Sequence, residues 1–211
     1  MAAPVFVDGV TPLNAANLNA LGAEVNGKVT NGGGVPKITA QAISAGPPAG
    51  PADGDIWIAT GVDARGTVWQ FRYNAGSASA YKWEFIGGPA VVAPPVDTAE
   101  NTASGVPVDL ATVGPFFALP RPGDYTFEYG CRFSNTLQGN GNMCILAVNN
   151  VDLYQQFAVA PNAGSAFWLP FYAKRALAGL TASVAKFQYA AVGGTAYFDS
   201  RTLSVLPTRV S

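Results

Sequence analysis

Polar and apolar side chains alternate along much of this chain, which is the pattern of β-strands that bury one face. The alternation is clearest in residues 68–73, where Trp69, Phe71 and Tyr73 fall on one face and the polar residues on the other. Residues 81–85 repeat the same parity, and the small, polar loop 74–80 between the two runs can turn the chain back. We therefore predict an antiparallel hairpin with an aromatic face, the centre of a small β module over residues 54–88.

The aromatic face of this module has two interpretations. Trp57, Trp69 and Trp83 are three of the chain's 4 tryptophans. Large rings make an efficient core for so small a unit, because they bury the most area per residue. The same flat rings, if exposed, form a platform on which the apolar faces of pyranose sugars stack. The sequence leaves both interpretations open.

A longer β region is predicted over residues 96–211. Its most regular strand is residues 124–133, which places five side chains on one side: Tyr125, Phe127, Tyr129, Cys131 and Phe133. Further strands are predicted at residues 143–148, 166–172, 183–190, 195–198 and 201–207, with turns at 122–124 and 192–194 and a hairpin tip at 149–152. Roughly eight strands at this spacing, without crossover helices, are typical of an antiparallel, jelly-roll-like β-sandwich.

A short amphipathic helix is predicted near the N-terminus, after an apolar strand at residues 5–10. Thr11 is a candidate N-cap, and Pro12 occupies the first helical position. Four apolar residues are the candidate anchoring or oligomerisation contacts: Leu13, Leu18, Leu21 and Val25. Because so short a helix is marginal alone, it needs a partner surface, either on its own domain or in a self-associating bundle or a larger particle.

Glycine- and proline-rich stretches divide the chain into five predicted segments. These are an N-terminal anchor of strand and helix at residues 1–30, a linker at 31–53, the aromatic β module at 54–88, a hinge at 89–95 and the β-sandwich at 96–211. One brief strand is expected inside the linker, at residues 37–39. The glycine run at 32–34 is not a phosphate loop, because no Lys-Ser or Lys-Thr pair follows it.

Composition and charge narrow the function. The chain has 13 acidic and 12 basic residues without a block of either sign, so we predict no nucleic-acid partner and no anionic membrane surface. Charged residues make up 12% of the chain, roughly half the usual share, which indicates a surface partly covered in an assembly. The absence of histidine removes the commonest general base and the usual zinc sites. We expect a protein without enzymatic activity, metal or cofactor.

The candidate carboxylate pairs do not change that expectation. Asp53 with Asp55, and Asp97 with Glu100, lie in turn-rich segments, where we predict solvated loop charges and not the acid and base of a glycosidase. The N-terminus has no basic start followed by an apolar run, and no stretch approaches the ~18 apolar residues of a transmembrane helix. We therefore expect synthesis in a cytoplasm and no membrane insertion.

The two cysteines, Cys131 and Cys144, do not have a metal-binding or redox spacing. If Phe133 pairs with Asn142 across the turn at residues 136–141, the cysteines face each other on neighbouring strands. A disulfide and two buried free thiols are both open, and cytoplasmic synthesis favours the thiols.

Several phrases of the sequence resemble one family. Residues 7–19, VDGVTPLNAANLN, resemble the start of many minor tail and fibre-like proteins of tailed bacteriophages, in which such a phrase leads into a helix. Residues 31–36 look like the linker of the same proteins. The GDIW, WQFRY and YKWEFIGG segments within residues 54–88 are similar to a module that often follows, and residues 203–210 have the same character.

The resemblance implies a virion surface protein, assembled as a homotrimer and attached to other virion proteins, of the tail or the capsid, through its N-terminal segment. Its first implication is a tail, tail-tip or fibre-like component, made in the host cytoplasm, whose distal β-sandwich adsorbs to host-surface glycans. The alternative is a capsid-decorating protein or head fibre. A cell-wall hydrolase and a secreted adhesin are two further alternatives, and no cofactor is implied.

Four aromatic residues of the predicted sandwich are candidate glycan contacts, because exposed rings stack on sugars: Tyr154, Trp168, Tyr172 and Tyr197. For each of them, the sequence favours a place in the core over a glycan contact.

Overall fold

The computed structural model describes residues 36–159 and 168–211, with the backbone alone for residues 152–159. The predicted N-terminal strand and helix lie outside these residues. So do Leu13, Leu18, Leu21 and Val25, whose anchoring role stays a prediction. Within the described residues the chain is mainly β, as the alternation predicts.

Thirteen strands and one short 3-10 helix, Ile43–Ala45, make up the described part of the chain. In chain order the strands are β1 (Ile38–Ala42), β2 (Ile56–Thr60), β3 (Trp69–Tyr73), β4 (Trp83–Gly87), β5 (Val91–Val92), β6 (Glu100–Thr102), β7 (Phe116–Ala118), β8 (Gly123–Asn135), β9 (Gly141–Val148), β10 (Val151–Val159), β11 (Leu169–Leu180), β12 (Val184–Val192) and β13 (Ala196–Val210).

These strands form two sheets. The large sheet has nine strands in the order β1-β2-β3-β4-β13-β8-β11, with β5 and β6 also paired to β13. The small sheet has the order β10-β9-β12-β7. The pair β1–β2 is parallel, which the sequence did not predict, whereas the strands of the C-terminal region pair antiparallel.

The two sheets pack face to face through the side chains that alternation predicts. The inward-facing side chains of β8 are at most 4% exposed, and they are Tyr125, Phe127, Tyr129, Cys131 and Phe133. Rings of the two sheets meet there, since the centroids of Tyr129 and Phe187 lie 4.9 Å apart and those of Tyr189 and Phe198 lie 4.7 Å apart. The predicted sandwich is confirmed at this level, and its jelly-roll label stays a prediction.

The aromatic module consists of β2, β3 and β4, and its rings face inward. Trp57 and Trp69 have no exposed surface and Trp83 is 3% exposed. The indole N–H of Trp57 donates to the carbonyl oxygen of Gln41, and that of Trp69 to the carbonyl oxygen of Pro89. The core interpretation of these tryptophans is therefore confirmed, and the sugar-platform interpretation of them is wrong.

The module and the sandwich share one sheet. β4 pairs with β13, with Trp83 opposite Val210 and Glu84 opposite Arg209. The predicted linker contains β1, as the expected brief strand, and the predicted hinge contains β5, which pairs with β13. The hinge is thus not a bare spacer, because Val91 is buried there. The five-segment division of the chain as domains stays a prediction.

Two strands that the sequence predicts separately are one strand, β13, which contains a β-bulge. The strands predicted at 195–198 and 201–207 form, from residue 196 onward, the single strand β13, whose pairing with β8 shifts between Asp199 and Thr202. Ser200 has a φ of 47° at this point. The extra residue turns the side chain of Arg201 into the sandwich, where it has no exposed surface. By contrast, the predicted hairpin tip at 149–152 is confirmed, because Asn149 and Asn150 both have positive φ between β9 and β10.

The cysteines meet across the sandwich and not on neighbouring strands, so that prediction is wrong. Cys131 lies on β8 of the large sheet and Cys144 on β9 of the small sheet. The turn after β8 carries the chain from one sheet to the other instead of closing a hairpin. Both side chains are buried free thiols, with their sulfur atoms 2.9 Å apart.

Candidate functional site

The candidate site lies on the outer face of the large sheet, which we define by the even-numbered residues of β8. Because odd-numbered residues of this strand enter the core, the opposite face carries Thr126, Glu128, Gly130, Arg132 and Ser134. The neighbouring strands β11 and β13 extend this face on either side of β8.

Three of the four predicted aromatic residues belong to this outer face. Tyr172 of β11 pairs with Gly130 and is 76% exposed. Tyr197 of β13 pairs with Ser134 and is half-buried. Trp168, the residue before β11, is also half-buried, and the guanidinium carbon of Arg132 lies 5.7 Å from the centre of its ring. The fold thus brings together three residues that are 4 and 25 positions apart in sequence.

Glycine at position 130 lets the ring of Tyr172 lie against the sheet. A Cβ atom at Gly130 would stand 2.6 Å and 2.8 Å from two ring carbons of Tyr172, and 2.5 Å from the carbonyl oxygen of Phe171. The ring therefore occupies the space that any other side chain on β8 would fill. Its outward side stays accessible, which is the arrangement that a stacking ligand needs.

A charged pair stands between the aromatic residues. Arg132 donates from Nε and Nη2 to the two carboxylate oxygens of Asp199, at 2.8 Å and 2.7 Å. The arginine side chain is 51% exposed, whereas that of Asp199 is 8% exposed. The hydrogen bonds from Arg132 to Asp199 and the charge of that carboxylate raise the pKa of Arg132. Two of the five N–H donors of the guanidinium are used in this pair, and three remain for other acceptors.

A buried hydroxyl completes the site. Ser134 is 1% exposed, and its Oγ atom has no hydrogen-bond partner among the described residues. It lies beside Tyr197 in the register of β8 and β13. A buried polar atom without a partner is rare in folded proteins and calls for an explanation, such as an absent water or ligand. We call the set Arg132, Ser134, Trp168, Tyr172, Tyr197 and Asp199 the outer-face site.

Sequence reasoning found the rings of this site and missed its polar members. Tyr154, the fourth predicted contact, lies on β10 of the small sheet, away from the other three, and only its backbone is described. Arg132, Ser134 and Asp199 were missed because their place in the site depends on which strands are neighbours in the sheet. The signal for two of them in the sequence is the parity of β8, which puts Arg132 and Ser134 on its polar side. Whether any of these residues binds a sugar stays a prediction.

The carboxylates considered as catalytic candidates have structural partners. Asp53 and Asp55 accept backbone N–H groups of the loops around them. Glu100 is not a solvated loop charge, and that prediction is wrong: its side chain is 13% exposed and lies 3.1 Å from the Arg201 guanidinium. Burial acts to raise the pKa of Glu100, but hydrogen bonds from Thr112 and the charge of Arg201 outweigh it and lower the pKa.

Other features of the described residues are weaker candidates for a functional site. A concavity of about 550 Å³ beside the small sheet is lined in part by Phe116, Asn149 and Lys186, and the ammonium of Lys186 is already paired with Asp109 at 2.6 Å. No group of three or more metal-ligating side chains occurs among residues 36–151 and 168–211, whose side chains the structure describes. No helix in those same ranges is long and apolar enough to cross a membrane.

No family model matches the chain, and no curated protein matches it. One similar solved structure is that of infectious bursal disease virus Gt strain, with 8% sequence identity and a TM-score of 0.39. A second is the VP2 subviral particle of that virus, with 8% sequence identity and a TM-score of 0.40. A third is the C-terminal CBM6 of LamC, a laminarinase from Zobellia galactanivorans, with 12% sequence identity and a TM-score of 0.29.

The Gt-strain match covers 67% of this chain and 42% of the viral chain, and the VP2 match covers 64% and 38%. The CBM6 match covers 56% of this chain and 98% of the CBM6 chain. The chain thus spans less than half the length of the two viral chains. The neighbours are viral capsid proteins and a carbohydrate-binding β-sandwich module. With TM-scores of 0.40 or lower, they say nothing about what this chain does.

Proposed function

We propose that this chain is a non-enzymatic surface protein of a tailed-bacteriophage virion that adsorbs to host glycans through the outer-face site. The observation that carries the proposal is the gathering of Trp168, Tyr172 and Tyr197 on one face, around the Arg132–Asp199 pair. The bacteriophage part of the proposal rests on the resemblance of residues 7–19 and 54–88 to tail and fibre-like proteins.

The chemistry of the site suits a sugar. An exposed aromatic ring offers a flat apolar surface against which the C–H faces of a pyranose ring pack. Sugar hydroxyls both donate and accept hydrogen bonds, and the site supplies donors on Arg132, acceptor oxygens on Asp199 and the unpartnered hydroxyl of Ser134. A sheet face with an exposed ring, such as that of Tyr172, also suits a polymer on a cell surface better than a small metabolite, which proteins usually bind in a concave pocket.

The assembly follows from the resemblance and from the composition. We propose a homotrimer that docks to other virion proteins through the N-terminal segment, with Leu13, Leu18, Leu21 and Val25 as its apolar contacts. A charged fraction of 12% supports a surface partly covered by partners. The protein is then made in the host cytoplasm and acts at the virion surface, as part of the tail.

Truncating the tryptophan of the site tests the adsorption. Trp168→Ala is expected to weaken binding of the purified protein to a host-envelope polysaccharide roughly tenfold, about 1.4 kcal/mol, because one stacking ring is lost. Phe116→Ala is the matched control, since Phe116 is a 54% exposed ring on the small sheet. Titration calorimetry measures both variants after their melting curves are compared with the wild type. Equal losses in the two variants, or none in Trp168→Ala, would contradict the proposal.

Electron microscopy of particles tests the virion assignment. An antibody against residues 96–211, visualised with gold, is expected to label the tail tip. Label spread over the head instead indicates the alternative role, a capsid-decorating protein or head fibre. Particles without any label would remove the bacteriophage assignment altogether.

A further inference from the structure

We infer that the ligand of the outer-face site is an uncharged oligosaccharide of at least about three rings, and not an acidic polysaccharide or a monosaccharide. This inference rests on the proposed function and specifies its ligand. Two independent properties of the site carry it, namely the spacing of its aromatic residues and the pairing of its charges.

The spacing determines the length of the ligand. Trp168, the residue before β11, is four residues from Tyr172 within that strand, which corresponds to roughly 13 Å at the rise of a β-strand. Trp168 and Tyr197 are separated by β8, so they stand two strand spacings apart, or roughly 10 Å. Stacked rings contact at centroid distances of about 4.5–7 Å. A single sugar ring therefore covers one of these residues, and a ligand that uses two must be an extended chain.

The charges determine the class of sugar. The outer face of β8 and β11 carries two cations, Arg132 and Lys174, and each is paired within 2.8 Å of a carboxylate, Asp199 and Glu128 respectively. Asp97 adds a further negative charge near Arg132. No cation on this face stands unpaired among the described residues, so the carboxylate or phosphate of an acidic polysaccharide would meet no excess of positive charge there.

The remaining polar groups are suited to neutral hydroxyls. Arg132 keeps three N–H donors that do not reach Asp199. Ser134 has a buried hydroxyl that makes no hydrogen bond among the described residues. Both groups belong to β8, the strand between β11, which carries Tyr172, and β13, which carries Tyr197. A neutral sugar can use them without the cost of separating Arg132 from Asp199.

An array of neutral and acidic glycans, from monosaccharides to hexasaccharides, tests the inference on the full-length protein. We expect the bound set to be neutral, with trisaccharides held at least about tenfold more tightly than single rings of the same sugar. Because no net charge is recognised, affinity should change less than about twofold when the salt concentration is raised from about 0.01 to 1 M. Tyr172→Ala should abolish the gain in affinity with chain length, whereas Phe116→Ala should leave that gain unchanged.

Each outcome decides a separate question. A bound set that is acidic, with affinity falling more than about tenfold over the same salt range, overturns this inference and leaves glycan adsorption standing. If monosaccharides bind as tightly as trisaccharides, the inferred minimum length of the ligand is wrong. The same conclusion follows if the length dependence of affinity survives Tyr172→Ala. If neither the array nor host-envelope polysaccharide is bound, the proposed function itself fails. Tyr172 is 76% exposed, so its truncation leaves the fold intact.

Discussion

Replacing Arg201 with methionine is expected to lower the free energy of unfolding by roughly 3–5 kcal/mol, because it leaves a largely buried carboxylate without its cation. Arg201 has no exposed surface. Its Nη2 atom lies 3.1 Å from Glu100 on β6, and its Nη1 atom donates to the carbonyl oxygen of Thr112 at 3.1 Å. One guanidinium thus joins β13 to β6 and to the loop before β7.

Two further variants separate the ion pair from the loss of a large side chain. Arg201→Met combined with Glu100→Gln should recover part of the lost stability, since no unpaired buried charge remains. Lys174→Met is the matched control, because Lys174 is paired with Glu128 in the same way but both side chains are exposed, at 68% and 57%. Urea denaturation followed by tryptophan fluorescence measures all three. Equal losses for Arg201→Met and Lys174→Met would show that burial of the pair is not what matters.

The pH dependence of stability gives a second readout of the same pair. The folded protein lowers the pKa of Glu100 from its usual 4.5. Its contribution to stability is therefore complete above pH 4.5 and is lost as the pH falls through the lower, folded-state value. In Arg201→Met the charge that helps to lower this pKa is gone, so the loss of stability on acidification should become smaller. An unchanged acid profile in this variant would exclude Glu100 as the responsible group.

Oxidation of the two thiols is expected to raise the free energy of unfolding by about 3 kcal/mol, the value for a loop of roughly this length. Cys131 and Cys144 have sulfur atoms 2.9 Å apart on strands of different sheets. Diamide takes two electrons and two protons from the pair, is reduced to the hydrazine, and leaves one sulfur–sulfur bond between β8 and β9. The bond would constrain the unfolded chain and tie the two sheets together.

The reaction should be slow at neutral pH. Burial raises the pKa of Cys144 well above its usual value, so few molecules carry the thiolate that attacks the oxidant. Mass spectrometry should show the loss of two hydrogen atoms, faster at alkaline pH, and the melting temperature should rise with it. Cys144→Ala is the control, and it should show neither change. A wild-type protein that loses the hydrogens without gaining stability would contradict the expected tie between the sheets.

Local pattern predicted the buried faces well. The two-residue period of β8 and of the aromatic module was enough to identify their core side chains, because each strand must turn its apolar face to the same interior. The hairpin tip at Asn149 and Asn150 was predictable for an equally local reason, since asparagine tolerates the positive φ that a tight turn requires. The pairing of Cys131 with Cys144 failed as a neighbouring-strand prediction because the turn between their strands changes sheets.

The order of residues alone is enough to establish that this chain is mainly β, which of its side chains are apolar and inward, and where several of its turns fall. Which strands lie side by side emerged only from the packing of the whole chain. That packing placed Trp168, Tyr172 and Tyr197 on one face with Arg132 and Asp199, buried Arg201 behind a bulge and put the thiols on opposite sheets. The difference arises because periodicity specifies the face of a residue within its own strand, whereas strand pairing depends on contacts between residues far apart in sequence.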